Sequence, residues 1–518
     1  MSDRPMDLSR RTLLFGGLAI AGGGVLAACS GKSGGTSGLV LPSQSPLSPS
    51  PGQNVVSKTL TARPTTLDLG GPKVATWAYG DTLPGPVVRA TAGDLLRITL
   101  DNQLPTDTTI HWHGVALRNA ADGVPGLTQD PVASGKRFVY EFIAPDPGTY
   151  FYHPHVGVQL DRGLYAPLVI DDPNEPGDYD AEWIVVLDDW LDGTGTTPDD
   201  VLAKLTGSSS SGGMGGMDMG SHSSGDMDMG GSSSGGMDMS GMGGMSMGAG
   251  DSPFGDAGDV TYPYFLLNGR VNTAPDTLAA KPGQRVRIRL INAAADTIFA
   301  VALADHRLAI THTDGYAVKI QGAGALYIGM GERYDVVVTL KDGVYPLVAK
   351  PVGKEGVALG AIRTGAGTLP TPDRAAAIPE LTGLVMLGSD LFPAESSRLP
   401  VKDVGQNVTL TLSGQMSPYA WAINGAPYGK NKPVTIAAGN RVSVALNNMT
   451  MMTHPMHLHG HTFALPNGLR KDTVLIKPMQ NLAVQLEADN PGNWMAHCHN
   501  IYHAEAGMMA ALVYDKAR

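Results

Sequence analysis

The sequence predicts an all-β protein built from three β-sandwich domains, and three observations support that expectation. First, an eleven-residue pattern recurs as AGDLLRITLDN at 92–102, PGQRVRIRLIN at 282–292 and AGNRVSVALNN at 438–448. An internal triplication at spacings of about 150 to 190 residues suits one sandwich per copy. Second, each copy places a Gly turn before alternating apolar and polar residues. Val286, Ile288 and Leu290 against Arg285, Arg287 and Arg289 give the period of a half-buried strand. Third, the 518 residues include 67 Gly and 37 Pro with only 16% charged, a turn-rich composition. The net charge of −11 and the absence of a dense Lys/Arg stripe argue against a nucleic-acid partner. Cys29 and Cys498 stand almost at opposite ends of the chain, so no disulfide framework is expected.

Residues 1–29 read as an export signal. Arg10-Arg11 opens a Gly-interrupted apolar run in the manner of a twin-arginine signal, and Leu26-Ala27-Ala28-Cys29 closes it like a lipoprotein processing box. Processing there would acylate Cys29 and hold the exported chain to a membrane by that lipid alone, since the apolar run is shorter than the ~20 residues of a spanning helix. Residues 30–55, rich in Ser, Gly and Pro, read as a semi-extended tether. Three domains are then expected at 56–173, 174–370 and 371–518.

The second domain carries an insertion at 207–250 made only of Gly, Ser, Met, Asp, Ala and His222, with ten of the chain's 23 methionines. Its units include Met217-Asp218-Met219, Met227-Asp228-Met229, Met237-Asp238-Met239 and Met245-Ser246-Met247, without an aromatic or branched residue to build a core. Thioethers are soft ligands that select Cu(I), and the aspartates attract cations, so the segment reads as a flexible cuprous-ion collector. A drifted low-complexity loop is the plainer alternative.

Fourteen histidines in this length give less than one His-x-His pair by chance, yet four occur: His111-Trp112-His113, His153-Pro154-His155, His457-Leu458-His459 and His497-Cys498-His499. His461 extends the third. On a strand, residues two apart share a face with Cα atoms ~6.5 Å apart, so each pair can offer imidazoles to adjacent metal ions. All eight come from the first and third repeats. The cluster is therefore expected between domains one and three, with domain two as a spacer. His306 and His312 read as ordinary residues of domain two, and His461 as a residue behind the ligands.

The segment from His497 to Met508 adds a thiol and a thioether. If residues 497–499 are extended, Cys498 faces away from His497 and His499, putting one metal on each side of a short backbone segment. A thiolate with two imidazoles and a weak axial Met is the ligand set of blue copper, and His454 and His503 supply the imidazoles. A structural zinc site closes with four ligands and has no redox chemistry to wire.

With HWHG at 111–114, HPH at 153–155, HPMHLH at 454–459 and HCHNIYHAEAGM at 497–508, the chain resembles the multicopper oxidase family, within it the three-domain bacterial laccases and cuprous oxidases. The resemblance covers the body from about residue 56. It implies three cupredoxin-like Greek-key sandwiches, four copper ions and reduction of O₂ to water. The implied type 1 ligands are His454, Cys498, His503 and Met508, and the type 2 ligands His111 and His457. The type 3 pair takes His113, His153 and His499 for one ion and His155, His459 and His497 for the other. Asp122 stands where cuprous oxidases carry a proton-relay acid, and it equally fits a turn aspartate in Ala121-Asp122-Gly123. The family's acid directly after the last type 1 histidine is replaced by Ala504, and Glu505 follows as a further candidate.

Met452 matches a methionine that helps bind substrate Cu(I) in the cuprous oxidases, whereas Thr450 replaces the acid expected two positions earlier. Met449, Met451, Met456 and Met509 are either substitutes for it or ordinary packing. The leading expectation is oxidation of Cu(I) to Cu(II) outside the cytoplasm. Its rivals are laccase-like phenol oxidation, ferrous-ion oxidation and copper sequestration without turnover. A copper nitrite reductase ranks last because it lacks the full set of His-x-His pairs.

Overall fold

The computed structural model describes residues 40–175, 178–208, 253–256 and 258–515. The export signal with Cys29 lies outside the described residues, as does the stretch from 209 to 252 with Met217, Met219, Met227, Met229, Met237, Met239 and His222.

The chain forms three cupredoxin-like β-sandwiches from six sheets, two per repeat. The three copies of the eleven-residue pattern become strands Leu95–Asn102, Arg285–Asn292 and Arg441–Asn448, each inside a sheet. Each has a parallel neighbour on one side, Val55–Asp68, Ala181–Trp190 or Val404–Met416. Each has an antiparallel neighbour on the other, Arg137–Ile143, Arg333–Thr339 or Asn481–Glu487. Alternation drives the apolar residues inward, so Leu96, Ile98 and Leu100 join the same buried cluster as Leu168 and Ile170 of the second sheet.

The asparagine ending each copy is fully buried and does one job three times. Asn102 Nδ2 donates to the carbonyls of Thr106 and Val132, Asn292 Nδ2 to those of Thr297 and Ile328, and Asn448 Nδ2 to those of Met452 and Ile476. Each Oδ1 accepts the N–H two residues on, at Leu104, Ala294 or Thr450. A buried amide fully used in this way fixes the loop that leaves the strand. In the third copy that loop leads to His454.

Two expectations change. Arg287 and Arg289 are buried, so the middle copy is not half-buried. The guanidinium of Arg287 pairs with Asp335 and Glu175, and that of Arg289 with Glu182 and Asp335, which lets the polar face be covered. Residues 40–54 form no helix or strand, in keeping with a tether, but they are fastened to the body. Leu47 N donates to Glu141 Oε2 at 2.8 Å, Gln44 Nε2 to the Thr128 carbonyl at 3.2 Å, and Asn493 Nδ2 to the Val40 carbonyl at 3.2 Å.

Candidate metal centre

Four short segments bring the histidines together. In the first repeat, strand His111–His113 runs antiparallel to Gly148–His153 with His111 opposite His153. In the third, His454–Leu458 runs antiparallel to Asn493–Cys498 with His457 opposite His497 and Met456 opposite Cys498. Only the first His-x-His pair lies wholly on a strand; His155, His459 and His499 follow strand ends.

Cys498 parts from its neighbours as the alternation requires. Its Sγ lies 3.6 Å from His454 Nδ1 and 3.7 Å from His503 Nδ1, and those two nitrogens are 3.1 Å apart. The tautomers follow from the outer nitrogens. Thr450 Oγ1 donates to Asn448 Oδ1, so it accepts from His454 Nε2 at 2.8 Å, and His503 Nε2 donates to Asp259 Oδ2 at 2.9 Å. Both Nδ1 atoms therefore present lone pairs to the sulfur. Helix Ile501–Glu505, capped by the Asn500 side chain, delivers His503, and the Met508 carbonyl accepts Cys498 N–H while the Met508 side chain is buried. The Trp421 ring supports both imidazoles, its centroid 4.1 Å from that of His503 and 5.2 Å from that of His454.

On the other side of the same backbone segment, eight imidazoles converge. His111 Nδ1 donates to the Asp122 carbonyl, His153 Nδ1 to that of Pro154, His457 Nδ1 to that of Asp472 and His497 Nδ1 to that of Cys498. His459 Nδ1 donates to the Asp122 carboxylate at 3.0 Å. His113 is turned the other way, its Nε2 donating to Thr473 Oγ1 at 3.1 Å. The nitrogens left facing inward, Nε2 of His111, His153, His155 and His457, Nδ1 of His113 and both of His499, are buried without a protein partner. His459 Nε2 and His497 Nε2 face each other at 3.0 Å as two lone pairs. Paired acceptors at that distance repel unless a cation lies between them. The donor set thus fits metal ions at both groups, with His155, His459 and His497 forming one compact triad and His454, Cys498 and His503 another.

Burial, then the neighbouring imidazoles, hold His113, His153, His155, His459, His497 and His499 well below the usual histidine range, which keeps them as neutral ligands. Burial pushes the Cys498 thiol and the Asp122 carboxyl up. Asp472 moves the opposite way. Burial alone would raise it, but the Arg333 charge prevails and keeps the carboxylate ionised.

Asp122 is more than a turn residue, because its carboxylate meets His459 and lies 3.2 Å from His111 Nδ1. The charge that raises the Glu505 carboxyl, after burial itself, is Asp199 and not a cluster group. Met452 is buried and bridges the backbone of Gly255 and Asp256, while Met449 and Met451 are exposed and Met456 and Met509 are packed inside. His461 sits behind the ligands, with Nδ1 on the His459 carbonyl and Nε2 on Tyr514 Oη. His306 and His312 remain within the second repeat. Asp259, Trp421, Asp472 and Arg333 escaped the sequence reading, since none sits in a histidine motif. Domain two is also more than a spacer, because Asp259 and Arg333 belong to it.

Profiles described as multicopper oxidase match residues 61–175, 239–369 and 402–518. The chain is 44% identical to multicopper oxidase MmcO of Mycobacterium tuberculosis over 98% of this chain and 96% of that protein. It is 28% identical to copper resistance protein A of Escherichia coli over 87% of this chain and 91% of that one. A crystal structure of a multicopper oxidase from Pseudomonas thermotolerans superposes with a TM-score of 0.65 at 25% identity, covering 89% of this chain and all of that one. The chain belongs to the multicopper oxidase family and is an oxidase with copper as its cofactor.

Proposed function

We propose that this oxidase takes electrons one at a time from Cu(I) and uses four of them to reduce one O₂ to water. The observation that carries the choice of donor is the closure of the thiolate-side imidazoles. His454 and His503 are fully buried, their outer nitrogens end on Thr450 and Asp259, and the cavity beside His503 is about 20 Å³. A single aromatic ring needs far more room, benzene filling a cavity of about 150 Å³, so this space admits an ion or a water and no aromatic ring. Its lining of Asp256, Asp296, Met330 and Met452 offers carboxylates and thioethers, which suits a cuprous ion.

In this reading His454, Cys498, His503 and Met508 hold a type 1 copper, His111 and His457 a type 2 copper, and the remaining six imidazoles a type 3 pair. When bound, these ions supply one-electron storage and the four-electron chemistry of oxygen reduction. The chain supplies the wiring and the protons. Cys498 is joined by single peptide links to His497 and His499, so the thiolate side and the imidazole side share one short covalent path. Asp122 fixes His459 and lies against His111, and its raised carboxyl is suited to hold a proton beside the oxygen-reducing side. The Met-rich insertion is read as the collector of the donor ion, and residues 1–29 as the signal that exports the chain and anchors it by lipid at the cell envelope.

Oxygen uptake by the copper-loaded protein, compared for Cu(I), Fe(II) and a phenol with copper counted per chain, tests this. Fastest uptake with Cu(I) at four catalytic coppers supports it. Fastest uptake with the phenol overturns the donor assignment in favour of a laccase, and fastest uptake with Fe(II) in favour of a ferroxidase.

A further inference from the structure

Arg333 opens strand Arg333–Thr339 in the second repeat and is fully buried. Its Nη1 and Nη2 donate to the two oxygens of Asp472, in the third repeat, at 2.7 and 2.6 Å. Its Nε donates to the Thr149 carbonyl of the first repeat at 3.1 Å, and Nη1 also to the Gly331 carbonyl at 2.9 Å. Asp472 Oδ1 in turn lies 3.3 Å from His113 Nε2 and 3.5 Å from His457 Nδ1, and accepts the Thr473 hydroxyl at 2.8 Å. The two rings are stacked with centroids 3.8 Å apart. One carboxylate therefore lies against the back edges of two imidazoles, whose N–H groups donate chiefly to Thr473 Oγ1 and the Asp472 carbonyl and whose front nitrogens, His113 Nδ1 and His457 Nε2, are the unpartnered ones.

The second repeat also grips the backbone there. Asp314 Oδ2 accepts the N–H groups of Asp472 and Thr473 at 3.2 and 3.3 Å and pairs with Lys471 Nζ at 3.1 Å, while Oδ1 accepts Arg333 N–H at 3.0 Å. The first repeat leaves room for the ion pair with a glycine. A Cβ on Gly114 (φ +84°) would stand 2.4 Å from Arg333 Nη2 and 2.6 Å from Asp472 Oδ2.

We propose that Arg333 is a positioning residue for the oxygen-reducing centre: by clamping Asp472 it fixes the rings of His113 and His457 and so sets how firmly the type 2 copper is held. This rests on the ligand assignment of the preceding subsection. An arginine is required because its planar fork meets both carboxylate oxygens at once, which a lysine cannot do. With the fork removed, Asp472 is free to turn from the two rings. An ion held by only two imidazoles is the first to feel the change, and loss of such a supporting partner weakens metal affinity about 10- to 100-fold.

The test compares copper-loaded full-length wild type, Arg333→Met, Arg333→Lys and the double variant Arg333→Met with Asp472→Asn. Copper per chain, the blue thiolate absorbance and the type 2 electron paramagnetic resonance signal are followed against added chelator. Arg333→Met is expected to keep the blue absorbance and to lose the type 2 signal at about 10- to 100-fold less chelator. Arg333→Lys falls between, and the double variant, which removes both buried charges together, regains part of the loss. Unchanged chelator sensitivity in Arg333→Met overturns the proposal. Joint loss of the blue and type 2 signals in all three variants also overturns it, by assigning Arg333 to folding alone. A His457→Gln variant separates this from the ligand assignment: a full type 2 signal there refutes the assignment, whereas its loss there with none in Arg333→Met refutes only the clamp.

Discussion

Asp259 Oδ2 accepts the Nε2–H of His503 at 2.9 Å and the Tyr419 hydroxyl at 2.6 Å. The carboxylate comes from the second repeat, the imidazole from the third, and both side chains are 1% exposed. An ionised acceptor on the outer nitrogen makes the ring a richer donor at Nδ1, which favours the more highly charged state of a metal held there.

Replacing Asp259 by Asn keeps an acceptor for His503 and removes its charge. The reduction potential of the blue site is expected to rise, and with the larger driving force its uptake of electrons from Cu(I) to quicken, with copper content unchanged. A redox titration of the blue absorbance together with donor kinetics checks both. An unchanged potential would separate Asp259 from the electron path.

Asp122→Asn distinguishes the two readings of that residue. Asn still accepts from His459 Nδ1 and still fits the turn, so a purely structural aspartate would leave oxygen uptake nearly intact. As a proton donor, Asp122 accounts for a loss of about 10²-fold or more at retained copper content, because positioned acids contribute roughly 10²- to 10⁴-fold. Uptake measured across pH should also lose its dependence on the raised Asp122 carboxyl.

The fold and the side chains that cluster were legible because they are written in local pattern. The triplicated strand carries its period-2 alternation and its terminal asparagine within eleven residues, and all twelve expected ligands stand inside four motifs. The supports were illegible because they are paired over long sequence distances. Asp259 reaches His503 across 244 positions and Arg333 reaches Asp472 across 139. An isolated aspartate or arginine in a strand or loop carries no sign of such a partner, and the alternation that made Arg287 and Arg289 look solvent-facing cannot report that Asp335 awaits them inside.

Glu505 should govern a pH dependence of stability. Burial, with the nearby Asp199 charge, raises its carboxyl from 4.5 to about 7. A carboxyl raised in the folded state contributes stability that is complete below its unfolded value and is lost as pH rises through about 7. Glu505→Gln is therefore expected to gain on the wild type by about 1–3 kcal/mol between pH 5 and pH 8, less than full burial would give because the side chain is partly exposed. Thermal unfolding of both proteins across that range measures it, and parallel pH curves would refute it.

Gly331 approaches the imidazole side from the second repeat. A Cβ there would lie 2.9 Å from His113 Cε1 and 2.9 Å from His499 Cδ2, at a φ of +82°. Gly331→Ala must push both rings or strain the backbone, at a cost of about 1–3 kcal/mol. The expected outcome is a lower copper count on the imidazole side with the blue absorbance retained, since the atoms such a Cβ meets belong to His113 and His499. Metal analysis and absorbance on one preparation decide it.

The residues that follow the Met-rich insertion, from 253 on, lie beside the thiolate site, and this makes its role measurable. Directly after it, the Phe254 carbonyl accepts the Thr453 hydroxyl at 2.7 Å, and Gly255 and Asp256 bridge to Met452, two residues from His454. Before it, helix Pro198–Leu205 opens on a capping box of Thr197 and Asp200 and ends at Thr206, whose Oγ1 donates to the Leu202 carbonyl at 2.9 Å, so regular structure precedes the inserted residues. Deleting residues 209–250 should therefore leave the fold, the copper count and kcat intact. If the thioethers gather the donor, KM for Cu(I) rises several-fold while the kinetics with Fe(II), which thioethers bind poorly, stay unchanged. Equal KM values for Cu(I) with and without the segment would remove the collector from the mechanism. They would leave exposed methionines of this region, Met449, Met451 and Met479, as candidate thioethers in its place.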